Sequence, residues 1–150
     1  MKAQQGMTLI ELMVVVAIVA ILASIAVPTY RDYVTRGRLA EPTSTIAAQR
    51  VRMEQFYQDM RTYAGACQAG TVAPKPADTN LWRYTCNIAG DGQSYVVQAD
   101  GLAGMAGWQF TVDQNNTRAT PAAPSGWGAP KTCWIQGRWS WIECSGRWSR

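Results

Sequence analysis

The sequence predicts an α+β protein. A long N-terminal helix packs on an antiparallel β-sheet of three to four strands, and a disulfide-tied loop closes the C-terminus. Three observations carry this reading: an apolar run over residues 6–28, a seven-residue apolar spacing between Leu39 and Met60, and a period-two alternation after residue 81. The 150 residues suit one modest domain. Part of that length is committed to the apolar run, so the remainder is near the size at which covalent staples help.

The first element is the apolar run. Between residues 12 and 27 only Ser24 is not strongly apolar, and counted from Met7 the stretch approaches the ~20 residues needed to cross a bilayer. It contains one acid, Glu11. A carboxylate at bilayer depth costs about 2.5–3.5 kcal/mol on insertion scales, so its presence demands a reason. A secretory signal peptide fits poorly: "MKAQQ" is very short, carries one Lys, and no A-x-A site follows the run. An ordinary membrane anchor leaves Glu11 and the Gly6-Met7 step unexplained.

The helix should continue in polar form beyond Pro28, which removes an i→i−4 hydrogen bond and is expected to kink or loosen it. Leu39, Ile46, Met53 and Met60, flanked by Phe56 and Tyr57, make one apolar face that would lie on a sheet. Gly37 and Pro42 are breakers inside this stretch, with loosening expected near Glu41-Pro42.

Strands follow. "GACQAGTVAPKPADTN" reads as a loop. In "WRYTCNI", Trp82, Tyr84, Cys86 and Ile88 alternate with polar residues. "SYVVQA" and "WQFTVD" repeat the pattern, with Trp108, Phe110 and Val112 on one face. The intervening "AGDGQ" and "DGLAGMAG" are turns, so the strands form an antiparallel meander. "DQNNTRAT" reads as a turn into an edge strand, and "PAAPSGWGAP" as an irregular crossing.

The four cysteines, Cys67, Cys86, Cys133 and Cys144, lack C-x-x-C spacing, which favours disulfides in an oxidising compartment over zinc or redox motifs. Three connectivities exist, and the sequence-local pairs Cys67–Cys86 and Cys133–Cys144 are favoured. The chain has no His, which removes the commonest general base and His-containing metal sites. No phosphate loop, paired carboxylates or activated nucleophile stands out. The expectation is a non-enzyme with no cofactor and no metal site. The formal net charge of +4 permits an anionic partner without demanding one.

Two features remain. Asn115 begins an N-x-T acceptor with an acid two residues earlier, against which a plain turn is favoured. The C-terminal "GRWSWIECSGRWSR" combines Arg138, Arg147, Trp148 and Arg150 with Trp139 and Trp141. Arg and Trp together suit phosphate contact and base stacking. Burial of the rings under a disulfide loop is the favoured reading, with DNA contact the alternative.

The stretch "QQGMTLIELMVVVAIVAILASIAVPTYRDYV" resembles the N-terminus of a type IV pilin precursor, with Met7 where Phe is usual. The resemblance implies a type IV pilin-like fold and cleavage after Gly6 by prepilin peptidase. It also implies methylation of Met7 at the new terminus and retention of the helix. The organisation would then be a leader over residues 1–6, a membrane and filament-core helix over 7–28, and a periplasmic head over 29–150. The precursor would sit in the inner membrane and pass into an extracellular pilus with other pilin subunits. Glu11 then finds its reason: the Met7 ammonium of a neighbouring subunit, or of its own, can pair with the carboxylate in an apolar core. The later "YTC…FTVDQNN…CW…C" also looks like Gram-negative minor pilins and, more loosely, their DNA-uptake relatives. The expected function is a structural, minor pilus subunit used in twitching, adhesion or DNA uptake. A pilus-borne DNA receptor is the alternative. A type II secretion pseudopilin comes third, disfavoured by two disulfides and no C-terminal acidic calcium site.

Overall fold

A computed structural model describes residues 8–137. Helix α1 spans Leu9–Met60. Thr8 caps it: its hydroxyl accepts the Glu11 N–H at 3.3 Å and its carbonyl accepts the Leu12 N–H at 3.2 Å, relieving donors that a helix N-terminus leaves unpaired.

The chain forms two compact units, Met1–Thr35 and Arg36–Arg150. In the first, the side chains from Leu9 to Val27 are exposed, Leu12, Ile18 and Ile25 among them. That stretch lies in a helix long and apolar enough to cross a membrane, by length and composition. In the second unit the expected stripe is largely the core: Leu39, Ile46, Met53 and Phe56 are buried. Met60 departs from the expectation. It is exposed because it is the last helical residue, and the chain turns away at Arg61 in the left-handed region (φ 58°).

The proline expectation is corrected in part. The helix is assigned without a break through Pro28, Gly37 and Pro42. Each proline is followed by a threonine whose hydroxyl donates to the carbonyl four residues back, Thr29 to Ile25 at 3.0 Å and Thr43 to Leu39 at 3.0 Å. These side-chain donors work beside the backbone donors that the prolines lack. Pro42 is itself buried, so its ring adds apolar contact.

The sheet is a four-stranded antiparallel meander in the order β1-β2-β3-β4: β1 Trp82–Ile88, β2 Tyr95–Gly101, β3 Gln109–Asp113 and β4 Arg118–Ala122. Register pairs Tyr84 with Ala99 and Ala99 with Phe110, so one face carries Trp82, Tyr84, Val97, Phe110 and Val112 into the core. The expected crossing over "PAAPSGWGAP" begins later than anticipated, since Pro121 and Ala122 belong to β4. Pro121 falls at the register shift between Gln109 and Thr111, an irregular place in the β3–β4 ladder where a residue without an N–H is tolerated.

The Cys67–Cys86 disulfide ties the post-helix loop to β1. Closing a loop of that length is worth about 3 kcal/mol on a chain-entropy estimate. Cys133 is also disulfide-bonded, while Cys144 lies outside the described residues. Buried Gln49 donates to the Ala73 carbonyl at 3.3 Å, and Met53 Sδ lies 3.6 Å from Cys67 Sγ, so α1 holds the same loop from beneath.

Gly92 docks the β1–β2 turn on the helix end. Its carbonyl accepts the Tyr63 N–H at 2.7 Å and the Thr62 hydroxyl at 3.1 Å. Three tyrosines gather there: Tyr57 and Tyr63 rings lie 4.7 Å apart, and Tyr63 meets Tyr95 edge-on at 4.6 Å. Burial and the Glu54 carboxylate, which accepts the Tyr63 hydroxyl at 3.1 Å, push the Tyr63 phenol up to about 12.

Candidate nucleic-acid interface

The edge of the sheet at β4 is where the exposed, chemistry-bearing side chains gather. β3 and β4 are joined by four residues, Gln114, Asn115, Asn116 and Thr117. The Asn116 N–H donates to the Asp113 carbonyl at 3.0 Å, and Asn116 sits in the left-handed region (φ 60°). A turn closed in this way and followed by a left-handed residue is a common hairpin connection. Asp113 Oδ1 accepts the N–H groups of Asn115 at 2.9 Å and Thr117 at 2.7 Å, which locks the turn. Gln114 reaches back to accept the Tyr95 N–H at 3.2 Å. The segment "DQNNT" is thus a turn with Asn115 exposed at its tip.

Beside the turn, the chain returns along β4 and is pinned by one buried threonine. Thr120 exchanges two backbone bonds with Lys131, its hydroxyl donates to the Cys133 carbonyl at 2.8 Å, and it accepts the Ile135 N–H at 3.0 Å. Ile135 is fully buried. Trp134 donates its indole N–H to the Thr111 carbonyl at 2.8 Å. The fixed indole ring carries the Arg118 guanidinium 4.7 Å from its centroid, and Arg118 Nε donates to Asn116 Oδ1 at 3.3 Å. A flat cation stacked on a ring and steered by an amide is held in one orientation.

The opposite edge is covered at its start. Lys75 Nζ and Asp78 Oδ1 pair at 2.7 Å, and the same two groups take up the Tyr84 carbonyl (3.1 Å) and N–H (2.9 Å). Those bonds, first the one from Lys75, hold the Asp78 carboxyl below its ordinary range.

The sequence-derived candidates divide as follows. Cys67 and Cys86 are joined, and Glu11 lies exposed in the first turn of α1 beside its cap. Gly6, Met7, Arg138, Arg147, Trp148 and Arg150 lie outside the described residues, as do Trp139 and Trp141. Sequence reasoning missed Thr8, although Thr8-x-x-Glu11 has capping-box spacing. It also missed Arg118, Thr120 and Trp134, which meet only through the fold.

Helix, meander and disulfide together define the class: a pilin-type subunit, with an apolar helix for assembly and a small disulfide-stapled head. Residues 1–27 match the prokaryotic N-terminal methylation motif, and the chain belongs to the family described as "Type IV minor pilin ComP, DNA uptake sequence receptor", whose pattern matches residues 28–117. It is 33% identical over 144 residues to the fimbrial protein EcpC of Eikenella corrodens, covering 96% of this chain and 84% of that one. It is 52% identical over 124 residues to a fimbrial protein of Pseudomonas aeruginosa, covering 82% and 77%. A solved type IV pilin from Shewanella oneidensis aligns with a TM-score of 0.45 at 11% identity, over 55% of this chain and 88% of that one.

Proposed function

We propose that this chain is a minor subunit of a type IV pilus whose head receives DNA for uptake. The observation that carries the reading is the match of residues 28–117 to the DNA-uptake receptor family. The preset Arg118–Trp134 pair adds support, because it sits where the chain leads toward the basic, Trp-rich tail. Cations neutralise phosphates with release of counterions, and aromatic rings stack on bases. The tail residues Arg138, Arg147, Trp148 and Arg150 supply further contacts of the same kinds.

Assembly uses the other unit. Prepilin peptidase cuts after Gly6 on the cytoplasmic side, Met7 becomes the methylated terminus, and the head occupies the periplasm until the subunit enters the filament. Glu11 pairs with an incoming Met7 ammonium. Glu11→Val removes a membrane insertion cost, so the precursor is cleaved normally yet enters sheared pili poorly. Undiminished incorporation refutes the pairing.

The deciding experiment is a deletion strain. Loss of transformation with pili still present supports a minor DNA receptor. Loss of pili marks a major structural subunit, and accumulation of secreted substrates in the cell points to a pseudopilin.

A further inference from the structure

We propose that the β3–β4 turn is the element that reads DNA sequence, with Asn115 and Arg118 contacting base edges in the major groove. The inference rests on the DNA-receptor reading above and names the residues that give it specificity.

The major groove distinguishes all four base pairs and admits a two-stranded β-ribbon. Arginine reads guanine through O6 and N7, and asparagine reads adenine through N6 and N7, each by two parallel hydrogen bonds. The turn presents both residue types on one short hairpin, and residues 115–118 are all exposed. Lysine, which meets phosphate as a point charge, is absent from it.

Geometry decides between reading and mere attraction. A phosphate contact tolerates a mobile cation, whereas a base contact needs a fixed donor pair. Arg118 is fixed twice. The indole of Trp134 covers one face of the guanidinium, and Asn116 engages Nε, so the two terminal amino groups are left as the fork. Trp134 is itself anchored on the Thr111 carbonyl. Asn115 is set by the Asp113 clamp on its own N–H, and its side chain is exposed. Asp113, the one acid of the turn, already serves two backbone donors. Little ordering entropy remains to be lost when such a turn meets a base, and that preorganisation favours specificity.

The test uses the full chain in nonionic detergent and a pool of short fluorescent duplexes with randomised centres. Bound duplexes are selected and sequenced, and affinities are then measured over a salt series. The wild type should select a motif containing at least one fixed guanine and one fixed adenine. Arg118→Lys keeps the charge, so the slope of log affinity against log salt should hold. Discrimination at the guanine should fall by roughly 5- to 150-fold, the worth of one bidentate contact. Asn115→Ala should relax the adenine position alone.

A wild type that binds nothing overturns both this inference and the receptor reading, and one that binds without preference overturns the inference alone. A wild type that selects a motif which both variants keep overturns the inference and leaves the receptor reading standing. So does uniform weakening of Arg118→Lys across all sequences, which makes Arg118 a phosphate contact. Intact mass of the protein from its native host decides one further point: a glycan on Asn115, within its Asn-x-Thr acceptor, overturns the reading role of that residue.

Discussion

The two halves of α1 are the same secondary structure built for different surroundings. The first half exposes Ile18, Leu22 and Ile25, and the second half buries Leu39, Ile46 and Met53. The first is almost wholly aliphatic, while the second sets Leu39, Ile46 and Val51 among mostly polar residues. What separates them is spacing. Apolar residues at every position cover the whole circumference of a helix and suit an apolar surround, while a seven-residue spacing covers one stripe and suits a sheet. Burial of each such side chain is worth about 1.5–3 kcal/mol. In the head that gain is realised on folding. In the first unit it waits for a membrane or for other subunits.

The sharpest way to break that comparison is a matched pair of truncations. Ile46→Ala should destabilise the head by about 2–5 kcal/mol in thermal unfolding, as buried Ile to Ala changes do. Ile18→Ala should leave head stability unchanged and reduce filament yield. Equal losses of head stability from the two would dissolve the distinction.

The next effect is local to the head. A side chain at Gly101 would collide with the Met105 carbonyl, a backbone atom that cannot step aside cheaply. Gly101→Ala should cost about 1–3 kcal/mol, typical of overpacking. A Gly37→Ala control, on the exposed side of α1 with open space around it, should be neutral or stabilising.

A smaller effect appears at alkaline pH. The raised Tyr63 pKa means that the unfolded chain releases this proton near pH 10 while the folded chain holds it to about 12. Stability is thus full below pH 10 and falls as pH rises through that window. Tyr63→Phe should flatten this part of the stability–pH curve. An unchanged slope between pH 10 and 12 would show that other groups govern it.

Much of this was legible in sequence because it is periodic. Alternation located β1, β2 and β3, and the Leu39–Ile46–Met53 spacing located the helix face on the core. Local chemistry was harder to read. Proline rules predicted loosening where Thr29 and Thr43 instead supply donors, and the end of β4 was hidden by a proline tolerated at a register shift. The candidate interface was the least legible. Thr120, Trp134 and Arg118 meet across sequence separations that no repeat announces. The sequence drew attention to Arg and Trp as residue types, yet the described pair is Arg118 with Trp134.

The smallest expected effect concerns the Lys75–Asp78 pair. Both side chains are more than 40% exposed, and exposed pairs add little to stability. Lys75→Met should barely move the melting temperature. It should instead raise self-association of the protein, read by light scattering. No rise would mean that the pair is incidental to the edge.

Outer strands invite pairing with other strands, and a filament brings many subunits side by side. Any adhesive edge on the head would be multiplied by the polymer that displays it. On β1, the outward backbone groups of Tyr84 are occupied by a cation and a carboxylate, and those of Trp82 by Thr79. Over that part of β1 the backbone groups that could template a further strand are already taken.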